Sequence, residues 1–406
     1  MIKKNNAVIL TEKQPKNLKL STTVEKPGEV AVYYGFSPID TLSINSEDVR
    51  RLKTFAKRGI IKDDKEAHHE LQEKARLLRF YAEEIDAFPQ HIFLYYEKPM
   101  KGGIRRHGGD FECGLDIIGS SKSSAEALLI ETSIAILSEE GFENIEIALN
   151  TIGDRESIGR FERELTSYFR RHIEELPAVE RQLFKKDIFE ILRTENEKLG
   201  SFLVNAPQPL STLSDVSREH FKEVLEFMES RNISYTIDNH LVQNKLYASQ
   251  TVFGINGEKN GKRVTLGYGY RYNHLAKKIG LKKEIPAVGV HLFWKRDLKH
   301  AKPVRVKKIP KPKFYFIQLG YNAKLKSLGV IEILRKAKTP VYHALTKDKF
   351  SGQAATAENI KTPYVLIFGQ KEALENTIVV RDAKTRFQDT IPLSHLPEYI
   401  KKFHDS

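Results

Sequence analysis

Two arginines, Arg271 and Arg296, close the two strand-like halves of one run, Val264 to Arg296, whose residue types suit phosphate chemistry. A guanidinium offers phosphate oxygens a rigid fork of donors, and preorganised cations stabilise negative charge as it builds on phosphorus. Val264, Leu266, Tyr268 and Tyr270 alternate with small or polar residues, which is the period of a half-buried strand. Gly267 and Gly269 within it admit a ligand or a second backbone, or mark a bulged strand. Leu275 to Ile279 predicts a short helix with a lysine-rich outer face, closed by Gly280, and Ala287 to Phe293 predicts a second apolar strand running into Trp294, Lys295 and Arg296. This layout predicts Arg271 and Arg296 at one end of a sheet.

A second basic cluster lies in His91 to Gly119. Phe93, Tyr95, Cys113, Leu115 and Ile117 have period two on either side of a loop that crowds Lys98, Lys101, Arg105, Arg106 and His107. Such a hairpin suits a phosphate-rich ligand; a plain basic loop is the open alternative. His68 and His69 sit among carboxylates in Asp63 to Glu70, but adjacent histidines on a helix diverge, so no metal site is expected. Lys307, Lys308 and Lys311 stand among Pro303, Pro310 and Pro312, which predicts a stiff, extended basic linker.

These segments need a scaffold, and 406 residues suffice for two or three domains with real cores. A net charge of +13 creates a field that attracts polyanions, nucleic acid above all, although a solubilising lysine surface gives the same balance. The single cysteine, Cys113, excludes an internal disulfide framework, and no leader or membrane-spanning run is read, so a cytoplasmic protein is expected. Residues 1–28 are polar and aperiodic and predict a loosely held basic arm. Ser124 to Glu140 has helical spacing, Ile145 to Leu149 reads as a strand, and residues 155–231 read as charged helices. From Lys313 to Phe403 strands and helices alternate, implying a small mixed or parallel sheet.

The motifs then add up to a resemblance. Gly267-Tyr-Gly-Tyr-Arg-Tyr-Asn-His-Leu275 and Pro286-Ala-Val-Gly-Val-His-Leu-Phe-Trp-Lys-Arg296 resemble the GGGRYDGL and PAVGFAIGLER runs of histidyl-tRNA synthetases, the latter being the third class II motif. Tyr96, Glu97 and Pro99, followed by Gly114-Leu-Asp-Ile-Ile-Gly119, resemble the second motif. Tyr33-Tyr-Gly-Phe36 resembles the turn before the first, dimer-forming motif, and Asn150-Thr-Ile-Gly-Asp154 the family's INSLGD. Leu319-Gly320, Tyr364 to Gly369 and Val379-Val-Arg-Asp382 resemble the anticodon-binding domain of class II synthetases, so the likeness runs over about residues 30–400.

Several pocket positions depart from the family. Tyr95 stands where the resemblance places the arginine that grips the α-phosphate, and Gln243-Asn244 replaces the Arg-Gly of the family signature. Leu246 and Ala248 replace an aspartate and a tyrosine, Asn273 and His274 an Asp-Gly pair, and Phe293 a glycine that leaves room for nucleotide. Leu71 to Tyr81 stands where the family has an RPEGT run with the glutamate that holds the substrate's amine. Losing one cationic donor typically costs about 3 kcal/mol of transition-state stabilisation.

The resemblance implies an α/β (α+β) fold: a class II synthetase-type antiparallel-sheet core over residues 29–154 and 232–298, a helical insertion at 155–231, the basic linker at 299–312 and an anticodon-binding-like α/β domain at 313–406. It implies a homodimer that binds tRNA or a related RNA, with weak or no aminoacylation. A divergent, ATP-dependent histidine–tRNA ligase and a synthetase-like regulatory subunit are the alternatives. The retained catalytic positions are Arg271, Arg296 and Glu97. Arg105, Arg106 and Arg296 would meet ATP with magnesium, Tyr247, Tyr272, Gly267 and Gly269 would line a ligand pocket, and Lys307, Lys308 and Lys311 would meet RNA. No membrane partner and no protein-held metal are expected.

Overall fold

The computed structural model describes residues 19–21, 23–41, 46–57, 65–84, 91–98, 110–194, 196, 199–296, 307–308 and 311–403. The chain opens with strands β1 (Lys19–Leu20) and β2 (Thr23–Val24) and helix α1 (Lys26–Tyr33), whose first turn holds Pro27, where a missing N–H costs nothing. Then come β3 (Ser37–Thr41), α2 (Ser46–Lys57), α3 (Lys65–Glu83) and the hairpin strands β4 (Ile92–Lys98) and β5 (Asp110–Ile118). Helix α4 (Ser124–Glu139) leads to β6 (Glu143–Thr151) and to the helical stretch α5 (Arg155–Arg171), α6 (Ala178–Lys186), α7 (Phe189–Leu192), α8 (Gly200–Val204) and α9 (Asp215–Ser230). Strands β7 (Tyr235–Ile237), β8 (Ser249–Lys259) and β9 (Lys262–Arg271), helix α10 (Leu275–Lys278) and β10 (Ala287–Lys295) complete this part.

The central sheet has nine strands in the order β1-β3-β4-β5-β10-β9-β8-β6-β7. It is antiparallel except where β3 meets β4 and β6 meets β7. Strand alternation sorts its side chains onto two faces. Val288, Val290, Leu292 and Trp294 of β10 share a buried cluster with Leu128, Leu129 and Ile136 of α4. Tyr96, Tyr270 and Tyr272 share the other with Leu71, Ala75 and Leu78 of α3. Among the described residues no helix is long and apolar enough to cross a membrane.

Two expectations need amending. The arm expected through residue 28 is built in from Lys19, because β1 pairs with β3 and β2 with the two-residue strand β11 (Lys307–Lys308). Strands this short carry no periodicity to read. Arg271 and Arg296 lie at opposite ends of the sheet: β9 and β10 are antiparallel, so Arg271 faces Val288 at the start of β10, while Arg296 follows its end.

The C-terminal part runs β12 (Phe314–Gln318), α11 (Tyr321–Lys336), β13 (Val341–His343), α12 (Phe350–Ile360), β14 (Tyr364–Phe368), α13 (Gln370–Glu375), β15 (Thr377–Asp382), β16 (Gln388–Pro392) and α14 (Leu396–Lys401). Its mixed sheet has the order β13-β12-β14-β15-β16, with the first three strands parallel. It docks beside α1 through specific bonds. The Tyr34 hydroxyl donates to Glu332 at 2.6 Å, Arg335 pairs with Glu139 at 3.0 Å, and His343 Nε2 meets the Tyr34 carbonyl at 2.8 Å. Burial lowers the His343 pKa to about 4, so at neutral pH the ring is uncharged and its Nε2 donates.

Candidate functional site

The α3 face of the sheet holds a buried polar constellation centred on Asp116 of β5. Lys74, from α3, brings its Nζ to 2.7 Å from Asp116 Oδ1, and both side chains are almost wholly buried. The Tyr272 hydroxyl donates to the same oxygen at 2.7 Å and the Tyr96 hydroxyl to Oδ2 at 2.8 Å. Burial, followed by the Asp116 charge, raises both phenols well above their ordinary pKa, so they remain donors. The Lys74 ammonium also lies 5.1 Å from the Tyr272 ring centroid, within cation–π range. Gly289 on β10 lies directly beneath: a Cβ there would collide with Asp116 Oδ1 and Lys74 Nζ.

Tyrosines continue along this face. Glu70 accepts from Tyr268 at 2.8 Å and from Tyr270 at 3.0 Å. The Tyr247 ring lies 5.7 Å from Tyr270, which lies 6.2 Å from Tyr272. Farther along β10, His291 Nε2 is 3.1 Å from Glu112 and its Nδ1 is 3.4 Å from the Tyr268 hydroxyl. The Phe293 ring stands 5.5 Å from His291 and 6.2 Å from Tyr268.

Arg271 points to the opposite face. Its fork is bidentate on Glu126 of α4, at 2.8 and 2.5 Å, and the remaining donors reach the carbonyls of Ser120 at 2.6 Å and Lys122 at 3.1 Å. His220 adds a contact to Glu126 at 2.7 Å. Burial pushes the Glu126 carboxyl up, but Arg271 and His220 outweigh it and hold the pKa at about 2. All three donor nitrogens of Arg271 are thus engaged within the protein.

Arg296 and Glu97 do come together, away from Arg271. Arg296 pairs with Glu25 at 2.5 Å and approaches Glu140 at 3.7 Å, with its guanidinium 3.7 Å from the Phe111 ring centroid. Glu97 accepts from the Tyr95 hydroxyl at 3.3 Å, and burial together with the nearby Glu25 charge raises its pKa to about 7. Tyr95 shares its cluster with Cys113, Leu115 and α4, whereas Tyr96 shares that of α3. The position that the resemblance gives to the phosphate-gripping arginine therefore turns away from Asp116.

Of the pocket residues expected from sequence, Tyr247 and Tyr272 are on the α3 face. Gly267 and Gly269 serve close packing: a Cβ on Gly267 would come 2.5 Å from the His291 carbonyl, and one on Gly269 would overlap the Phe253 ring. Lys311 is exposed, and Lys307 and Lys308 form the strand paired with β2. Arg105 and Arg106 lie outside the described residues. Sequence reasoning missed Asp116 and Lys74 as site residues; an aspartate in the middle of an apolar strand, Leu115-Asp-Ile-Ile118, was the available signal.

The chain has counterparts among known proteins. Residues 313–403 match the family described as "Anticodon binding domain". The chain is 29% identical to the histidine–tRNA ligase of Bacillus subtilis (strain 168), over 75% of this chain and 72% of that protein. It is 27% identical to that of Ruthia magnifica subsp. Calyptogena magnifica over 78% of this chain and 75% of that one, and 26% identical to that of Desulforamulus reducens over 87% and 84%. Among solved structures, the apo S. aureus histidyl-tRNA synthetase aligns with a TM-score of 0.49 at 21% identity, over 92% of this chain and 93% of that one. The chain is thus similar to histidine–tRNA ligases over about three quarters of its length or more, and its residues 313–403 match the anticodon-binding family.

Proposed function

We propose that this chain binds tRNA or a related RNA and has little or no aminoacylation activity. The observation that carries the reading is the filled α3 face. Asp116, which would otherwise meet a ligand, is saturated by Lys74, Tyr96 and Tyr272, while His291 and Phe293 stand farther along β10, opposite Gly114 and Glu112. Among the described residues the donor set does not fit ATP with magnesium: the fork of Arg271 is engaged by Glu126 and that of Arg296 by Glu25, at opposite ends of the sheet. We assign the core to residues 29–154 and 232–298, the helical insertion to 155–231, the linker to 299–312 and the RNA-binding domain to 313–406. Pairing of two chains belongs to the reading, because the segment by which the resembled synthetases dimerise is present as α1 and β3.

RNA binding rests on the net charge of +13, the C-terminal domain and Lys307, Lys308 and Lys311. Phosphate contacts dominate RNA affinity and need only spread cations, so they tolerate a closed pocket. Binding of tRNA, heparin and a single-stranded RNA of equal charge should be compared at physiological salt. Preference for tRNA supports the reading, and equal affinity for all three overturns it. Neutralising the three lysines should weaken all RNAs alike and flatten the salt dependence, by a slope of about 0.7–0.9 per lost contact.

A further inference from the structure

We propose that the seam between the central sheet and the C-terminal unit is a proton-sensitive latch: two histidines, one from each side, hold it closed while neutral, and their protonation releases the C-terminal unit. This goes beyond RNA binding and is tested without RNA. The two contacts are reciprocal. His343, at the end of β13, crosses to the core, where its Nε2 meets the Tyr34 carbonyl at 2.8 Å. His91, just before β4, crosses the other way, and its Nδ1 meets the Thr346 hydroxyl at 2.5 Å.

The His343 slot is shaped for a neutral ring. Gly35, at φ +85°, forms one wall, since a Cβ there would come 2.7 Å from Nε2, and the Phe93 ring centroid lies 5.3 Å away. The Tyr34 carbonyl takes the Nε2 proton, while Nδ1 is buried with no partner. An imidazolium carries an N–H at both nitrogens, so protonation puts a charge and an unanswered donor into this slot. The groups around the ring are Tyr34 and Gly35 from the α1–β3 turn, Phe93 of β4 and Phe316 of β12, none of them a carboxylate that could offset the charge. His91 is likewise kept neutral, with a pKa of about 4, by burial and by the Lys347 ammonium.

Other charged groups line the seam. Burial pushes the Glu332 and Asp348 carboxyls up, but Arg335 and Lys122 outweigh it, and bonds from Lys26 and Arg335 lower Glu139, so these three stay ionised while the histidines titrate. Burial raises Glu131, which pairs with Arg231, and its protonation in acid favours the closed form and so opposes the histidines. A free histidine titrates near 6.5 and both seam histidines near 4. Closure is therefore fully favoured above pH 6.5 and weakens as pH falls from there to about 4.

The test traps the open seam with a thiol reagent. Ser124 is buried there, its hydroxyl 3.3 Å from the Leu345 carbonyl, so Ser124→Cys in the full chain places a thiol that reacts only when the C-terminal unit moves away. Cys113, buried in β5, reports opening of the core itself. The rate at which 4,4′-dithiodipyridine labels each thiol, divided by its rate in denaturant at the same pH, measures the opening of each region. Opening at the seam should rise about tenfold per pH unit for each histidine below pH 6.5, or about a thousandfold in all by pH 5, while Cys113 stays protected. The rise should vanish when His91→Asn and His343→Gln are added, because their amides can still bond Thr346 and Tyr34 but cannot become cations. If that variant is open already at pH 7.5, the slope measured without it decides: uptake of one to two protons on opening supports the latch, and uptake of none overturns it. No rise with the histidines in place, or the same rise after their replacement, also overturns it and leaves both histidines as plain packing contacts.

Discussion

The two faces of one sheet each bury a cation against a carboxylate, Arg271 with Glu126 on the α4 face and Lys74 with Asp116 on the α3 face. On the α4 face both partners are fixed. The guanidinium fork matches the carboxylate, backbone carbonyls take the remaining N–H groups, and His220 closes the network. On the α3 face the carboxylate is fixed by phenols, while the cation arrives on a flexible stem. A planar fork is preorganised and an ammonium is a point charge on a longer aliphatic chain, so the first pair is held by more directed bonds than the second. The family resemblance had marked Arg271 for catalysis and left Lys74 unremarked; both are buried partners of a carboxylate.

The sharpest way to break this contrast is Arg271→Met, which leaves Glu126 buried beside only His220. Breaking a buried pair typically costs about 3–5 kcal/mol, and denaturant unfolding should show a loss of that size. Asp116→Asn strands the fully buried Lys74 ammonium and leaves one phenol facing an amide N–H, so a loss of the same order, about 3–5 kcal/mol, is expected by the same measurement.

Glu97 sharpens it from a third position. Its folded pKa of about 7 lies above the ordinary 4.5, so ionising this carboxyl works against the fold. No penalty exists below about pH 4.5, it grows between there and about pH 7, and it is complete above that. Glu97→Gln should therefore leave stability unchanged in acid and raise it by roughly 1–2 kcal/mol above pH 7, allowing for its partial exposure to solvent. Unfolding curves at both ends of the range check this. The smallest effect belongs to Tyr272→Phe, which removes one of two phenols on Asp116 and should cost about 1–2 kcal/mol.

Much of the fold was legible because it obeys strong periods. The strand, turn, helix and strand from Val264 to Arg296 appear as β9, α10 and β10, and the helical spacing of Ser124 to Glu140 as α4. What was lost is what periodicity does not carry. Antiparallel pairing, a tertiary fact, sends Arg271 and Arg296 to opposite ends. The short, polar α13 and β16 give no amphipathic signal, and β1 and β2 are two residues each. Tyr247 and Tyr272 could be named from the motifs, but Lys74 sits in a helix rich in charged residues. Its identity as a site residue depends on Asp116, 42 positions away.

The proposal that a chain with so filled an α3 face has little or no aminoacylation activity has a direct test. Pyrophosphate exchange with ATP, magnesium and each of the twenty amino acids in turn tests it most directly. Exchange is expected to be no faster than the amino-acid-free blank in every case. Amino-acid-dependent exchange above that blank, with histidine or any other, would contradict it.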